Sequence, residues 1–407
     1  MHRYVHILTV ICLWLAWLVN QIFGEIALTT AAVTDSTSIF STREQLPARE
    51  NLTIYQEFPV STTSRIDSTV VSAGIAAPGE SDAWSWSAIR WSWWNVLQLI
   101  SAVLGIVGNF LVMLVLFVRR SSSRSTDFLV GALAQADFLT SVFLLPLPAA
   151  STTPRSTLGH LYCWMVYPQF LMFVCVTVSI YILMAISLER FVAVVYPLVF
   201  NRLVNRRLIL VLVALIWIGT SAVYAAFLPI VYGVDPDRRV CTVRFASPNT
   251  GIVLGSFLLC YRLLFPTGVM IITQIWIVRS LQRQAVLFRE QKTVSFHRTA
   301  RNRVLKLMTT IIAIYVVCWS PGQIAFFLVN IGVLDYSFVG SPLDRGAIVL
   351  SFYNSCLNPV IYTARFPEFR QALKSIFCQR DADLNVPLFD ERKRDWTESG
   401  RDKSGQV

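Results

Sequence analysis

Seven apolar stretches divide this chain, each long enough to cross about 30 Å of hydrocarbon as a helix of roughly 20 residues. They lie near Trp94–Val118, Phe128–Pro148, Tyr162–Leu188, Leu208–Tyr232, Gly251–Val278, Val304–Ile331 and Gly346–Tyr362. In hydrocarbon every backbone N–H and C=O must find a partner within the protein, so stretches of this length are restricted to helices that pack together. The chain is 55% hydrophobic and 14% charged, whereas soluble domains are about 45–50% apolar and about 25% charged. The expected fold is an all-α membrane protein built as a seven-transmembrane helix bundle.

Charge placement orients it. Arg119, Arg120 and Arg124 follow the first stretch, and Arg202, Arg206 and Arg207 separate the third from the fourth. A dense basic run from Arg279 to Lys306 separates the fifth from the sixth, and Arg365, Arg370 and Lys374 follow the seventh. The positive-inside rule then puts the N-terminus outside and the C-terminus in the cytoplasm. The formal charge of +11 is thus a topology signal and does not call for a nucleic-acid partner. Residues 1–24, with an apolar run Ile7–Val19 behind Arg3, are expected to be a signal peptide, an uncleaved signal anchor being the alternative. Residues 25–93 are rich in Ser and Thr without an apolar period and read as a disordered extracellular tail. Asn51 in Asn51-Leu52-Thr53 is its glycosylation acceptor. Trp84, Trp86, Trp91, Trp93 and Trp94 are expected to anchor at the membrane interface, with ligand contact as the second reading. Residues 94–364 form the seven-helix domain, 365–378 an amphipathic membrane-surface helix, and 379–407 a cytoplasmic tail.

The residues that interrupt the apolar pattern carry the chemistry. Asp137 sits mid-way along the second stretch, where a carboxylate costs about 2.5–3.5 kcal/mol even on the mildest scale. Such a group faces a bundle interior and has partners there. Asn354 and Asn358 are spaced i, i+4 and share a helix face, with Ser355 beside it; Ser179 can point inward from the third stretch. Together Asp137, Ser179, Asn354, Ser355 and Asn358 supply oxygen ligands of the kind a small hard cation prefers. A water-filled polar seam without an ion is the alternative. Pro266, Pro321 and Pro359 each remove a helix hydrogen bond and leave carbonyls to be satisfied by neighbours.

Taken together and in this order, one set per stretch, these residues resemble a rhodopsin-like (class A) G-protein-coupled receptor of the peptide-receptor kind. The likeness runs from about Trp94 to Cys378. It implies a short amphipathic eighth helix and an allosteric sodium ion at Asp137, Ser179, Asn354, Ser355 and Asn358, beneath Trp319; no other cofactor is implied. It also implies a switch toward a heterotrimeric G protein made of Glu189, Arg190, Phe191, Trp319, Pro321, Asn358, Pro359 and Tyr362. Cys163 and Cys241 are the positions that the family joins by a disulfide, although Cys163 stands two residues further from Arg190 than is usual. A helix irregularity or a shifted geometry must absorb the difference. Glu189-Arg190-Phe191 stands where the family usually has Asp-Arg-Tyr. Arg301 stands where an acidic partner for Arg190 is common, and Gln274 where a Tyr is expected eight residues after Pro266. These departures suggest elevated basal signalling. Cys378 is a palmitoylation candidate, and the tail offers arrestin only Thr397, Ser399 and Ser404.

Absences narrow the ligand. Met172 stands where amine receptors carry an Asp, and no acid lies between Cys163 and Leu188. No Lys lies between Gly346 and Tyr362, so a retinal Schiff base cannot form there. The expected cavity residues are Met172, Arg262, Trp319, Gln323 and Phe352; Arg262 either faces the cavity or snorkels outward. The segment Val240–Phe245 alternates like a strand after the turn at Asp235-Pro236-Asp237, which suggests a hairpin of the kind peptide receptors carry. An extracellular peptide is therefore the expected ligand at a plasma-membrane receptor, with a lipid or small organic acid as the alternative. A transporter would show internal repeats, and none is evident. Enzyme chemistry is not expected, since His2, His6, His160 and His297 all lie away from the middle of a stretch.

Overall fold

The computed structural model describes residues 83–118, 125–235, 237–243, 248–287, 294–365 and 367–378. The expected signal peptide, most of the expected outer tail with Asn51, the expected cytoplasmic tail, and the side chains of Arg301 and Cys378 lie outside that description. Seven helical spans are present among the described residues. The first is Trp93–Val118, the second Ser125–Phe143, and the third runs through Thr157–Val195. The fourth is Arg206–Val231; the fifth comprises Pro248–Leu259, a π-helical stretch Cys260–Leu264, and Phe265–Leu287. The sixth is Val294–Asn330 and the seventh Pro342–Arg365, followed by the short helix Pro367–Cys378, which buries Phe369 and Ala372.

Five of these spans are long and apolar enough to cross a membrane on length and composition alone, among the described residues. The second and seventh are not among them, because Asp127, Asp137, Asp344, Asn354 and Asn358 interrupt their apolar faces. Those two spans are sheltered by neighbours: the second packs on the first and third, and the seventh on the first and sixth. The third span is central, packing on the second, fourth and fifth.

The boundaries differ from the sequence expectation in instructive ways. The second helix ends at Phe143 and not at Pro148. Pro146 and Pro148 disfavour helical backbone in the residues before them, and Ala149–Thr152 turns into a strand, β2. That strand pairs antiparallel with Ser85–Ser87, β1, in the register Trp86 to Ala150. The last part of the supposedly disordered tail is therefore folded. Trp84 and Trp86 stack at 5.6 Å and both meet the Tyr162 ring edge-on, so these two rings pack on the protein as well as lying near its end. Their partners lie more than sixty residues away in sequence, beyond the reach of a local reading.

The loop after the fourth span forms the expected hairpin. Tyr232–Val234 (β3) pairs antiparallel with Cys241–Val243 (β4). The Cys163–Cys241 disulfide is present, with Cα atoms 5.3 Å apart. The unusual spacing of Cys163 is absorbed by the helix itself: Tyr162–Val166 is π-helical, and Gln169 adopts a left-handed backbone at φ 53° before the regular helix starts at Phe170. Both irregularities insert chain without lengthening the α-helical ladder. Arg239 ties this end together, accepting from the Thr153 N–H at 2.7 Å and donating to the Ala83 carbonyl at 3.0 Å.

Candidate functional site: a polar core around Asp137

Asp137 is fully buried, and its carboxylate bridges two spans. Ser179 of the third donates to Oδ1 at 2.7 Å, and Asn358 of the seventh donates to Oδ2 at 2.8 Å. Ser355 also lies close enough to the carboxylate to interact with it. Asn354 is buried one turn away on the same face, and no hydrogen bond joins it to Asp137 among the described contacts. Of the five residues expected at this centre, Ser179 and Asn358 are thus hydrogen-bonded to Asp137, Ser355 lies beside the carboxylate, and Asn354 borders it. The donor set is one carboxylate amid neutral oxygens, and no cluster of three or more His, Cys, Asp or Glu exists among the described residues. Such a set fits a singly charged hard cation better than a divalent one.

The same region shows how prolines are accommodated. Pro359 has no N–H for the Ser355 carbonyl, and Asn109 of the first span donates to that carbonyl at 3.1 Å. The approach is close: a Cβ on Gly108 would lie 3.0 Å from the Pro359 ring, and one on Gly105 would lie 2.0 Å from Ser141 Oγ. Pro266 frees the Arg262 carbonyl, which accepts from the Tyr315 hydroxyl of the sixth span. The neighbouring Tyr261 carbonyl, within the π-helical stretch, accepts from Tyr181 of the third span at 3.1 Å. Near Pro321, Ser351 donates to the Cys318 carbonyl at 3.1 Å. The breaks at Pro266 and Pro359 are thereby met by side chains from another span, as hydrocarbon requires.

At the opposite end from the disulfide, Arg190 donates through Nε to Glu189 Oε2 at 2.6 Å and through Nη2 to Oε1 at 3.1 Å. Glu189 also accepts from Ser125 at 2.7 Å and Thr126 at 2.9 Å, both at the start of the second span. Phe191 meets the Tyr196 ring edge-on at 5.7 Å. Tyr362 is buried, with its ring 6.5 Å from Phe369 of the short last helix. Gln274 donates across to Thr309 of the sixth span at 3.1 Å.

The family model described as 7 transmembrane receptor (rhodopsin family) matches residues 108–362, well over half of the chain. The chain belongs to that family. It is a G-protein-coupled receptor and a multi-pass membrane protein. It is similar to the allatostatin-A receptor of Bombyx mori, 25% identical over 68% of this chain and 77% of the relative. The somatostatin receptor type 5 of Bos taurus is 27% identical over 72% of this chain and 80% of the relative. The lysophosphatidic acid receptor 1-B of Xenopus laevis is 27% identical over the same shares, 72% and 80%.

In this receptor the five cavity candidates, Met172, Arg262, Trp319, Gln323 and Phe352, are all buried inside the bundle. Arg262 does not snorkel. Its guanidinium lies 4.7 Å from the Phe173 ring and 5.2 Å from the Trp319 ring, a cation held between two aromatic faces. The Trp319 indole N–H is buried without an acceptor among the described residues. Sequence reasoning missed Tyr315, Tyr181, Ser125, Thr126, Ser351 and Phe173. Tyr315 could have been found by asking which side chain satisfies the carbonyl four residues before Pro266. The others carry no comparable local signal.

Proposed function

We propose that the receptor sits in the plasma membrane with its N-terminus outside and passes the binding of an extracellular peptide to a heterotrimeric G protein. The observation that carries this reading is the Asp137 carboxylate, bonded at once to the third and seventh spans. It lies between a ligand end, where Arg262 and Trp319 pack together, and a coupling end, where Glu189 holds Arg190. A buried charge shared by two helices strongly favours one arrangement of them, so a ligand that moves Trp319 can be felt at Arg190 through a discrete rearrangement. The β3–β4 hairpin and the similarity to receptors for allatostatin-A and somatostatin support a peptide. In this reading Arg262 would receive an acidic group of that peptide.

A sodium ion is part of the same proposal. Asp137, Ser179, Ser355 and Asn358 would hold it, with Asn354 at the border; the Asn109 carbonyl oxygen, buried without a donor among the described residues, adds acceptor capacity nearby. When bound, the ion would neutralise the carboxylate. Glycosylation at Asn51, palmitoylation at Cys378, arrestin engagement and the paired-charge switch at Glu189 and Arg190 belong to the proposal as well.

The similarity to a lysophosphatidic acid receptor and the buried cation at Arg262 favour one second reading, a lipid with an acidic head. A library of short peptides, with lysophosphatidic acid as a parallel arm, read out by G-protein dissociation, separates the two. Responses confined to peptides and abolished by Arg190→Ala support the proposal. A response to the lipid arm alone, or one untouched by Arg190→Ala, overturns it.

A further inference from the structure

A groove of about 490 Å³ opens between the fifth and sixth spans, toward the end of the bundle that carries Arg190. Its walls are apolar: Ile271, Ile275 and Val278 from the fifth span and Ile312 from the sixth. The first three are well exposed on the outer surface of the bundle, where a spanning helix meets hydrocarbon. Its remaining lining is polar. Gln274 and Thr309, hydrogen-bonded across the seam, lie within it, and Arg279 and Gln282 close its far end.

We propose that this groove binds one anionic phospholipid of the adjoining leaflet, its acyl chain along the isoleucine wall and its head group on Arg279 and Gln282. Three features select that occupant. From Ile271 to Gln282 the fifth span rises about 16 Å at 1.5 Å per residue, which matches half of the roughly 30 Å hydrocarbon thickness, a single leaflet. The volume lies within the range of small-molecule sites, about 300–1,000 Å³. The two ends match an amphiphile: Ile271, Ile275, Val278 and Ile312 offer an apolar wall at the depth of the acyl chain, interrupted only by the mutually bonded Gln274–Thr309 pair, and Arg279 and Gln282 offer a cationic, hydrogen-bonding end at the head-group level. Arg279 also begins the basic run between the fifth and sixth spans, and such runs attract anionic lipid at a membrane surface. A sterol would use the wall but not the cation. A bound lipid would rest against both spans across the Gln274–Thr309 seam, so its occupancy would bias any separation of the two.

The identity of the leaflet rests on the orientation proposed above; binding itself does not. The test uses the full-length purified receptor in detergent micelles, titrated with phosphatidylserine, phosphatidylcholine or cholesterol and read by native mass spectrometry of retained adducts. The expected result is several-fold greater retention of phosphatidylserine than of phosphatidylcholine, lost both in Arg279→Ala/Gln282→Ala and in Ile275→Trp. The second variant fills the wall and leaves every charge in place, and thermal melting in the same detergent verifies that each variant is folded. Equal retention of the two phospholipids overturns the proposal. So does loss in the charge variant with full retention in Ile275→Trp, which would indicate a surface basic patch. Preferential cholesterol retention overturns it too. Accessibility of an N-terminal epitope on intact cells tests orientation separately, so the two readings fail independently.

Discussion

The side-chain amide of Asn109 on the first span donates to the main-chain carbonyl of Ser355 on the seventh, 246 residues along the chain, at 3.1 Å. That carbonyl is the one Pro359 leaves without its helix partner. Replacing Asn109 with Leu keeps the bulk and removes the donor. An unsatisfied buried carbonyl costs about 1–3 kcal/mol, so Asn109→Leu is expected to lower the Tm of the purified receptor in a fixed detergent. An unchanged Tm would show that water or a neighbour replaces the amide.

Sodium should act through Asp137 if the polar core holds it. The wild-type receptor is expected to melt at a higher temperature in sodium chloride than in choline chloride at equal ionic strength, since a ligand that binds only the folded state stabilises it. Asp137→Asn should melt equally in both, reach the cell surface, and signal weakly. A variant that keeps the sodium difference sinks the ion assignment.

Glu189 is held by two hydroxyls in addition to Arg190, from Ser125 and Thr126. Hydrogen bonds to a charged group contribute about 1.5–3 kcal/mol each. If they hold the resting state, Ser125→Ala/Thr126→Ala should raise ligand-free G-protein signalling several-fold over wild type at matched surface expression. Adding Arg190→Ala should remove the increase. A basal signal equal to wild type would mean that the hydroxyls stabilise both states alike.

The Cys163–Cys241 bridge closes a segment of 78 residues. The chain-entropy model gives a bridge of this span about 4.5 kcal/mol, and native disulfides typically measure about 2–5 kcal/mol. Cys163→Ser/Cys241→Ser is therefore expected to lower surface expression sharply and to shift melting down. Retention of wild-type expression would assign the bridge a role confined to ligand binding.

Gly105 illustrates a steric constraint. An added Cβ would lie 2.0 Å from Ser141 Oγ and 2.9 Å from Ser141 Cβ. The hydroxyl can rotate away, but the Cβ cannot. Gly105→Ala should destabilise the receptor, and the pair Gly105→Ala/Ser141→Gly should recover most of the loss in Tm.

Most of the bundle was legible from hydropathy, because a stretch of about 20 apolar residues has few options in hydrocarbon. The polar centre was legible as well: Asp137, Ser179, Ser355 and Asn358 stand out against an apolar background, and each carries a cost that only a partner can offset. What sequence spacing could not assign was the face of a residue next to a helix irregularity. Successive residues turn about 100° around a helix of 3.6 per turn, so one inserted residue re-aims a side chain. Arg262 lies inside the π-helical stretch Cys260–Leu264, and its inward aim was therefore open until the backbone was known. Cys163 lies in another such stretch, Tyr162–Val166, and reaches Cys241 because of it.

The chain by itself determined the seven spans, the order of their polar residues and the sites where proline breaks a ladder, because all three follow from local composition and covalent geometry. The tertiary structure alone decided that Tyr315 meets the Arg262 carbonyl, that Ser125 and Thr126 hold Glu189, and that Trp86 pairs with a strand sixty residues on. Those contacts join distant segments. They are selected when helices pack and every broken backbone bond must find a donor from a neighbour, a condition that no window along the sequence contains.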